Sequence, residues 1–143
     1  MSDTFSTRIA VRSYELDALG HLNQAVYHSY AEHARVEMFR RAGCGADRLI
    51  SEGVSPVLLE THTRFLKELR LGDEVDVSCR LSFGRKKTFQ MDSTLRRTDD
   101  AVACEMTATL GLLDLATRRL LEDPRKRLEA VATDPGFLNT NGQ

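Results

Sequence analysis

Residues 14–35 read YELDALGHLNQAVYHSYAEHAR, and two patterns meet there at Asn23. After it, Tyr27, Tyr30, Ala31, Ala34, Met38 and Ala42 recur at i, i+3, i+4 spacing, the stripe of an amphipathic helix. Val26 and Phe39 widen the stripe. Asn23 is a natural N-cap, Arg40 and Arg41 suit the negative end of the dipole, and Gly43 and Gly45 stop the helix. The spacing predicts a helix over 23–42, about 30 Å long at about 1.5 Å per residue, enough to cross a small domain. Before Asn23, a loop over 15–22 holds Asp17, Gly20 and His21. The first N–H groups of a helix have no partner inside it and carry partial positive charge. A carbonyl docked on them is polarised, and a nearby carboxylate can attack it or activate a water.

Outward from the helix the chain alternates. Over 4–14, Phe5, Thr7, Ile9 and Val11 take turns with Ser6, Arg8, Ala10 and Arg12, the period of a strand with one buried face. A long strand is predicted over 55–69, with Val57, Leu59, Thr61, Thr63 and Phe65 on one face. Leu71-Gly72-Asp73 turns the chain into a strand over 74–83. Further strands follow over 88–98 and 101–115, where Gly111 marks a candidate bulge, and a short one begins at Leu120. A short helix is expected over 124–132 and a loose tail over 133–143. One helix among tightly turned strands predicts an α+β fold in a single domain over 1–132, its antiparallel sheet of five to six strands covering the helix. Such a sheet must protect an edge, which makes self-association an expectation.

The composition narrows the function classes. A chain of 143 residues with 41% hydrophobic and 29% charged residues is an ordinary globular domain. A net charge of −1 disfavours nucleic-acid binding. No apolar run reaches the length of a membrane span, and no signal-peptide pattern opens the sequence. Cys44, Cys79 and Cys104 are odd in number and widely spaced, as reduced thiols of a cytoplasmic protein would be. His21, His28, His33 and His62 lack a metal-ligand spacing, and there is neither a G-x-S-x-G elbow nor a Gly-rich phosphate loop.

The residues Tyr14, Asp17, Gly20, His21, Asn23, Tyr27, Tyr30, Glu32, Ala34 and Arg35 together resemble the signature of the hot-dog-fold acyl-CoA thioesterases related to 4-hydroxybenzoyl-CoA thioesterase. Phe65-Leu66-Lys67, Leu71-Gly72-Asp73 and Ser82-Phe83-Gly84-Arg85 resemble later landmarks of that family, so the likeness runs over about 5–130. It implies a sheet wrapped around the central helix, an active site at a subunit interface of a homodimer or homotetramer, and Asp17 as the catalytic carboxylate. It implies no cofactor, because a thioester is already activated. Members often carry a second asparagine where this chain has Gln24.

Each candidate has a plainer reading beside it. Asp17 alone would be a loop-ordering carboxylate; with the signature it is the nucleophile or the general base. His21 is either a catalytic or a packed loop histidine. Asn23 caps the helix and can also position substrate. The N–H groups of Asn23, Gln24 and Ala25 are the candidate oxyanion donors. Tyr14, Gly20 and Tyr27 are candidate substrate contacts. Arg64, Lys67, Arg85, Lys86 and Lys87 could meet the phosphates of CoA or simply face solvent. Glu32 is the alternative carboxylate, although three residues from Arg35 it reads first as an ion-pair partner. The substrate is expected to be an acyl-CoA. The alternatives are an acyl-carrier-protein thioester, or binding of acyl-CoA without turnover. A hydratase is disfavoured because no proline follows Asn23.

Overall fold

The structure, a computed structural model, describes residues 5–84 and 86–139. In chain order it comprises β1 (Phe5–Ala10), a 3-10 turn (Ser13–Glu15), α1 (Gln24–Arg41), α2 (Ala46–Ser51), β2 (Val54–Phe65), β3 (Glu74–Phe83) and β4 (Thr88–Arg97). Then come β5 (Val102–Asp114), β6 (Arg119–Leu120), α3 (Pro124–Val131) and a 3-10 turn (Pro135–Asn139). The strands form one antiparallel sheet in the order β1-β3-β4-β5-β2, with β6 beside β5.

The helix lies on β1, β3 and β4. Its stripe is buried as the periodicity requires, with Tyr27, Tyr30, Ala31, Ala34, Met38 and Phe39 turned inward. They meet the inward residues of the sheet, among them Val75, Val77, Cys79, Leu81, Met91 and Leu95. Burial of each large apolar side chain favours folding by about 1.5–3 kcal/mol, so this contact fixes where α1 sits.

Local chemistry moves several predicted boundaries. The first strand stops at Ala10, not near residue 14, because Glu15 folds back to accept the Arg12 N–H at 2.9 Å and closes a 3-10 turn. The long strand ends at Phe65 rather than 69. There the N–H groups of Leu66 and Lys67 share one acceptor, the Ala103 carbonyl, and the chain leaves the sheet. It then returns beneath the loop before α1, where Leu22 N–H donates to the Leu69 carbonyl at 2.7 Å. α2, six residues long, has no counterpart in the sequence reading.

A register shift lies between Leu58 and Glu60, where Leu59 has no partner on β5. It inverts the side-chain alternation of β2. Leu58 therefore shares the inner face with Thr61, Thr63 and Phe65, whereas the alternation had placed Val57 and Leu59 there. Gly111 is not the bulge. It pairs with Val57 and Thr88, and a Cβ on it would come within 2.7 Å of Leu120 Cδ2, so its role is close packing against β6. The segment expected to be a loose tail is packed over its described part. Leu138 is 1% exposed, and Phe137 meets Phe5 edge-on with ring centroids 5.9 Å apart.

Candidate active site

Glu15 anchors the loop ahead of α1 at both ends. Its carboxylate accepts the Tyr30 hydroxyl, the Arg12 N–H and the Arg12 guanidinium. Its carbonyl accepts the Asn23 N–H at 2.9 Å. Desolvation would raise the Glu15 pKa, but these donors together hold it below the usual carboxylate range. The Tyr30 phenol is pushed well up, by burial first and by its bond to Glu15 second, and so stays a proton donor.

Within the loop, Asp17 N–H donates to the His21 carbonyl at 2.8 Å and Gly20 N–H donates to the Asp17 carbonyl at 3.0 Å. Gly20 has φ +80, a left-handed conformation that glycine adopts without strain. Asp17 Oδ1 accepts the N–H groups of Leu19 (2.9 Å) and His21 (3.1 Å). Among the described residues no donor reaches Oδ2. Asp17 therefore orders the loop with one oxygen and keeps the other available.

Asp17, His21, Asn23, Gln24, Tyr27 and Lys67 line one open cleft of about 570 Å³, completed by Leu22, Phe65, Leu66 and Glu68. The carboxylate and the helix N-terminus thus share a cavity. A larger depression of about 630 Å³ lies on the sheet among Ser6, Asp76, Ser78, Arg80, Asp92, Thr94 and Arg96. It is an open polar dish with no helix end beside it.

The hydrogen bonds narrow the expected donor set. Asn23 N–H is used by Glu15, and Ala25 N–H donates to the capping Asn23 Oδ1 at 2.9 Å. Of the three N–H groups, Gln24 alone has no partner among the described residues. It is also the residue whose side chain departs from the family signature, and it needs only its backbone to act as a donor.

His21 sits on the rim, joined to Arg70 by a β-bridge. Its Nε2 lies 3.6 Å from Glu68 Oε1 and 3.4 Å from the Arg70 guanidinium. The Arg70 hydrogen bond, with Arg70, His21 and Arg97 nearby, holds Glu68 below the ordinary carboxylate range. Tyr27 is buried, which raises its phenol pKa, and its hydroxyl donates to the Lys67 carbonyl at 3.4 Å. Its ring meets Phe65 edge-on with centroids 5.1 Å apart.

Other candidates lie elsewhere. Tyr14 is 80% exposed and does not line the cleft. Arg64 points away from it and pairs with Glu105 at 3.3 Å. Lys86 and Lys87 line a separate surface depression with Leu120 and Glu122. Arg85 lies outside the described residues. Among the described residues, Lys67 is the one expected phosphate contact on the cleft. Glu32 and Arg35 form no close ion pair; both line a second cleft between α1 and β2. Sequence reasoning missed Glu15, Glu68 and Arg70. In the sequence, Phe65 and Leu66 stand out only as landmarks of the family resemblance. No cluster of metal-ligating side chains occurs among the described residues, and no described helix is long and apolar enough to cross a membrane.

Comparison with known proteins follows the same lines. Residues 11–134 match the thioesterase-like superfamily. A chloroplastic acyl-acyl carrier protein thioesterase of Arabidopsis thaliana is 37% identical over 82 residues, covering 57% of this chain and 43% of that protein. The chain thus spans less than half the length of the curated relatives it matches. A hypothetical protein of Aquifex aeolicus superimposes with a TM-score of 0.79 at 26% identity, over 89% of this chain and 98% of that one. A Staphylococcus aureus protein solved in complex with CoA superimposes at 0.82 with 21% identity, over 96% of this chain and 85% of that one.

Proposed function

The chain belongs to the thioesterase-like superfamily, with its hot-dog fold of a curled antiparallel sheet around one central helix, and we propose that it hydrolyses acyl thioesters at the cleft between Asp17 and the N-terminus of α1. The observation that carries this reading is the pairing of an available carboxylate oxygen, Asp17 Oδ2, with the unpartnered Gln24 N–H on one cavity. The thioester carbonyl oxygen docks on the Gln24 N–H, where the helix dipole also favours developing negative charge. Asp17 takes a proton from water as the water oxygen bonds to the carbonyl carbon. The tetrahedral intermediate collapses, the C–S bond breaks, and the thiolate recovers the proton from Asp17, giving a carboxylic acid and a thiol. In the alternative, direct attack by Asp17 would form a mixed anhydride.

Acyl-CoA and acyl-carrier-protein thioesters share a phosphopantetheine arm, and the cleft with Lys67 on its wall suits that arm on either carrier. The CoA complex of the Staphylococcus aureus protein supports the first, the Arabidopsis resemblance the second. Thiol release from matched acyl-CoA and acyl-carrier substrates separates them. Absence of release from every thioester, with tight acyl-CoA binding retained, would make this a binding protein instead.

The active form is a homodimer built on β2. This 12-residue strand is an edge of the sheet and exposes Leu58, Leu59 and Phe65. A long apolar edge is stable in solution when paired. Phe65 belongs both to that edge and to the cleft, so pairing would bring a second chain beside the site. The buried, unpaired thiols of Cys44, Cys79 and Cys104 suit a reducing compartment such as the cytoplasm.

A further inference from the structure

Two clefts share one wall. Gln24, His28 and Glu32 fall at i, i+4 and i+8 on α1 and so form one row along the helix. Gln24 lines the candidate active site; Glu32 lines the second cleft, of about 220 Å³. The inner face of β2 runs opposite this row, with Phe65 on the first cleft and Leu58 on the second. Between them a side-chain contact crosses from helix to strand. His28 Nε2 lies 3.2 Å from Thr63 Oγ1, and Phe65 stands edge-on to the His28 ring with centroids 6.4 Å apart.

We propose that the His28–Thr63 bridge is the end-stop of the acyl site, so that these two side chains set the length of acyl group the enzyme accepts. The inference rests on the hydrolase reading above. A hydroxyl both donates and accepts, so the contact suits the neutral and the protonated ring alike. At about 1.5 Å per residue, His28 lies about 6 Å along the helix from the Gln24 N–H. An extended chain advances about 1.2 Å per bond, as an extended backbone does, so about five bonds bring an acyl chain to the bridge. Beyond it lies the second cleft, whose apolar lining includes Val36, Phe39, Leu49 and Leu58. Val36 lies about 18 Å from Gln24, a distance a chain of about fifteen bonds would cover. The bridge therefore divides a short-chain site from apolar space that a longer chain could use.

The test compares the wild type with His28→Ala and His28→Phe. Thioesters of six- and twelve-carbon acids are presented on both CoA and carrier protein, and non-hydrolysable S-alkyl-CoA analogues give Kd. His28 is exposed, and alanine is the better helix former, so the truncation retains the fold. The wild type is expected to favour the six-carbon group. His28→Ala raises the twelve-to-six ratio of kcat/KM at least about tenfold, with Kd moving in the same sense. His28→Phe, which keeps the bulk, keeps the wild-type order. An unchanged ratio in His28→Ala, or a wild type indifferent to chain length, overturns the end-stop while leaving the hydrolase intact. No thiol release from any substrate overturns the hydrolase reading, and the end-stop with it.

Discussion

The hydroxyl of Tyr30 donates to the carboxylate of Glu15, tying the middle of α1 to the start of the loop that holds Asp17. Hydrogen bonds to charged groups contribute about 1.5–3 kcal/mol. Tyr30→Phe is therefore expected to destabilise the fold by about that much at neutral pH, read by denaturant unfolding. Glu15 has a depressed pKa in the folded state. Its contribution is present above the ordinary glutamate pKa and is lost as pH falls through the folded value. The gap between wild type and Tyr30→Phe should thus narrow in acid. A gap that widens as pH falls would place the stabilisation elsewhere.

Asp17→Asn keeps a carbonyl oxygen where Oδ1 accepts the Leu19 and His21 N–H groups, so the loop and the melting temperature should survive. Turnover should fall by about 10²–10⁴-fold, the usual contribution of a general base. Wild-type rates of thiol release in this variant would remove Asp17 from the chemistry. Repeated turnover in ¹⁸O-water should leave Asp17 unlabelled; label in its carboxylate would make it the attacking group.

Gln24→Pro isolates the backbone donor. Residue 24 is the first of α1, a position proline tolerates, and Asn23 before it already has the extended ψ of 135 that a following proline requires. The helix should remain while the Gln24 N–H, the one of the three candidate donors without a partner among the described residues, disappears. We expect kcat to drop about 10²–10³-fold, as for loss of one oxyanion donor, with circular dichroism unchanged. Asn23→Ala should act differently, costing about 0.5–2 kcal/mol of stability through the lost cap.

Leu59→Lys places a charge at the irregular point of the exposed β2 edge. Sedimentation should show a shift from dimer to monomer, because edge lysines oppose strand pairing. An unchanged dimer would move the interface off β2.

Gly43 has φ +80, and a Cβ there would lie 1.8 Å from Thr133 Oγ1 and 2.7 Å from the Thr133 backbone nitrogen. Gly43→Ala should lower stability by at least about 1–2 kcal/mol from backbone conformation alone. Trimming Thr133 to glycine should not restore it, since the backbone contact persists.

The parts legible in the sequence were those with strong periodicity or local chemistry. The stripe from Tyr27 to Met38 and the cap at Asn23 both appear where their spacing places them. The strand over Glu74–Phe83 is bounded by turns at both ends and was readable to the residue. The bulge was hidden because Val57, Leu59 and Thr61 alternate without a break. Only pairing with β5 shows that one of them has no partner. α2 is too short to register as a helical period. The roles of Glu15 and Glu68 depend on Tyr30 and His21, contacts between distant segments that no single stretch of sequence displays.

The unpaired position at Leu59 also bears on how this chain could change length. Removing that one residue would leave Leu58 and Thr61 on the side they already occupy and shorten the rung count by none. Loss of a residue from the regular stretch after it, such as His62, would turn the remainder of the strand over and present Arg64 to the interior. A natural or engineered gap in this segment should therefore be accepted at 59 and rejected three positions later.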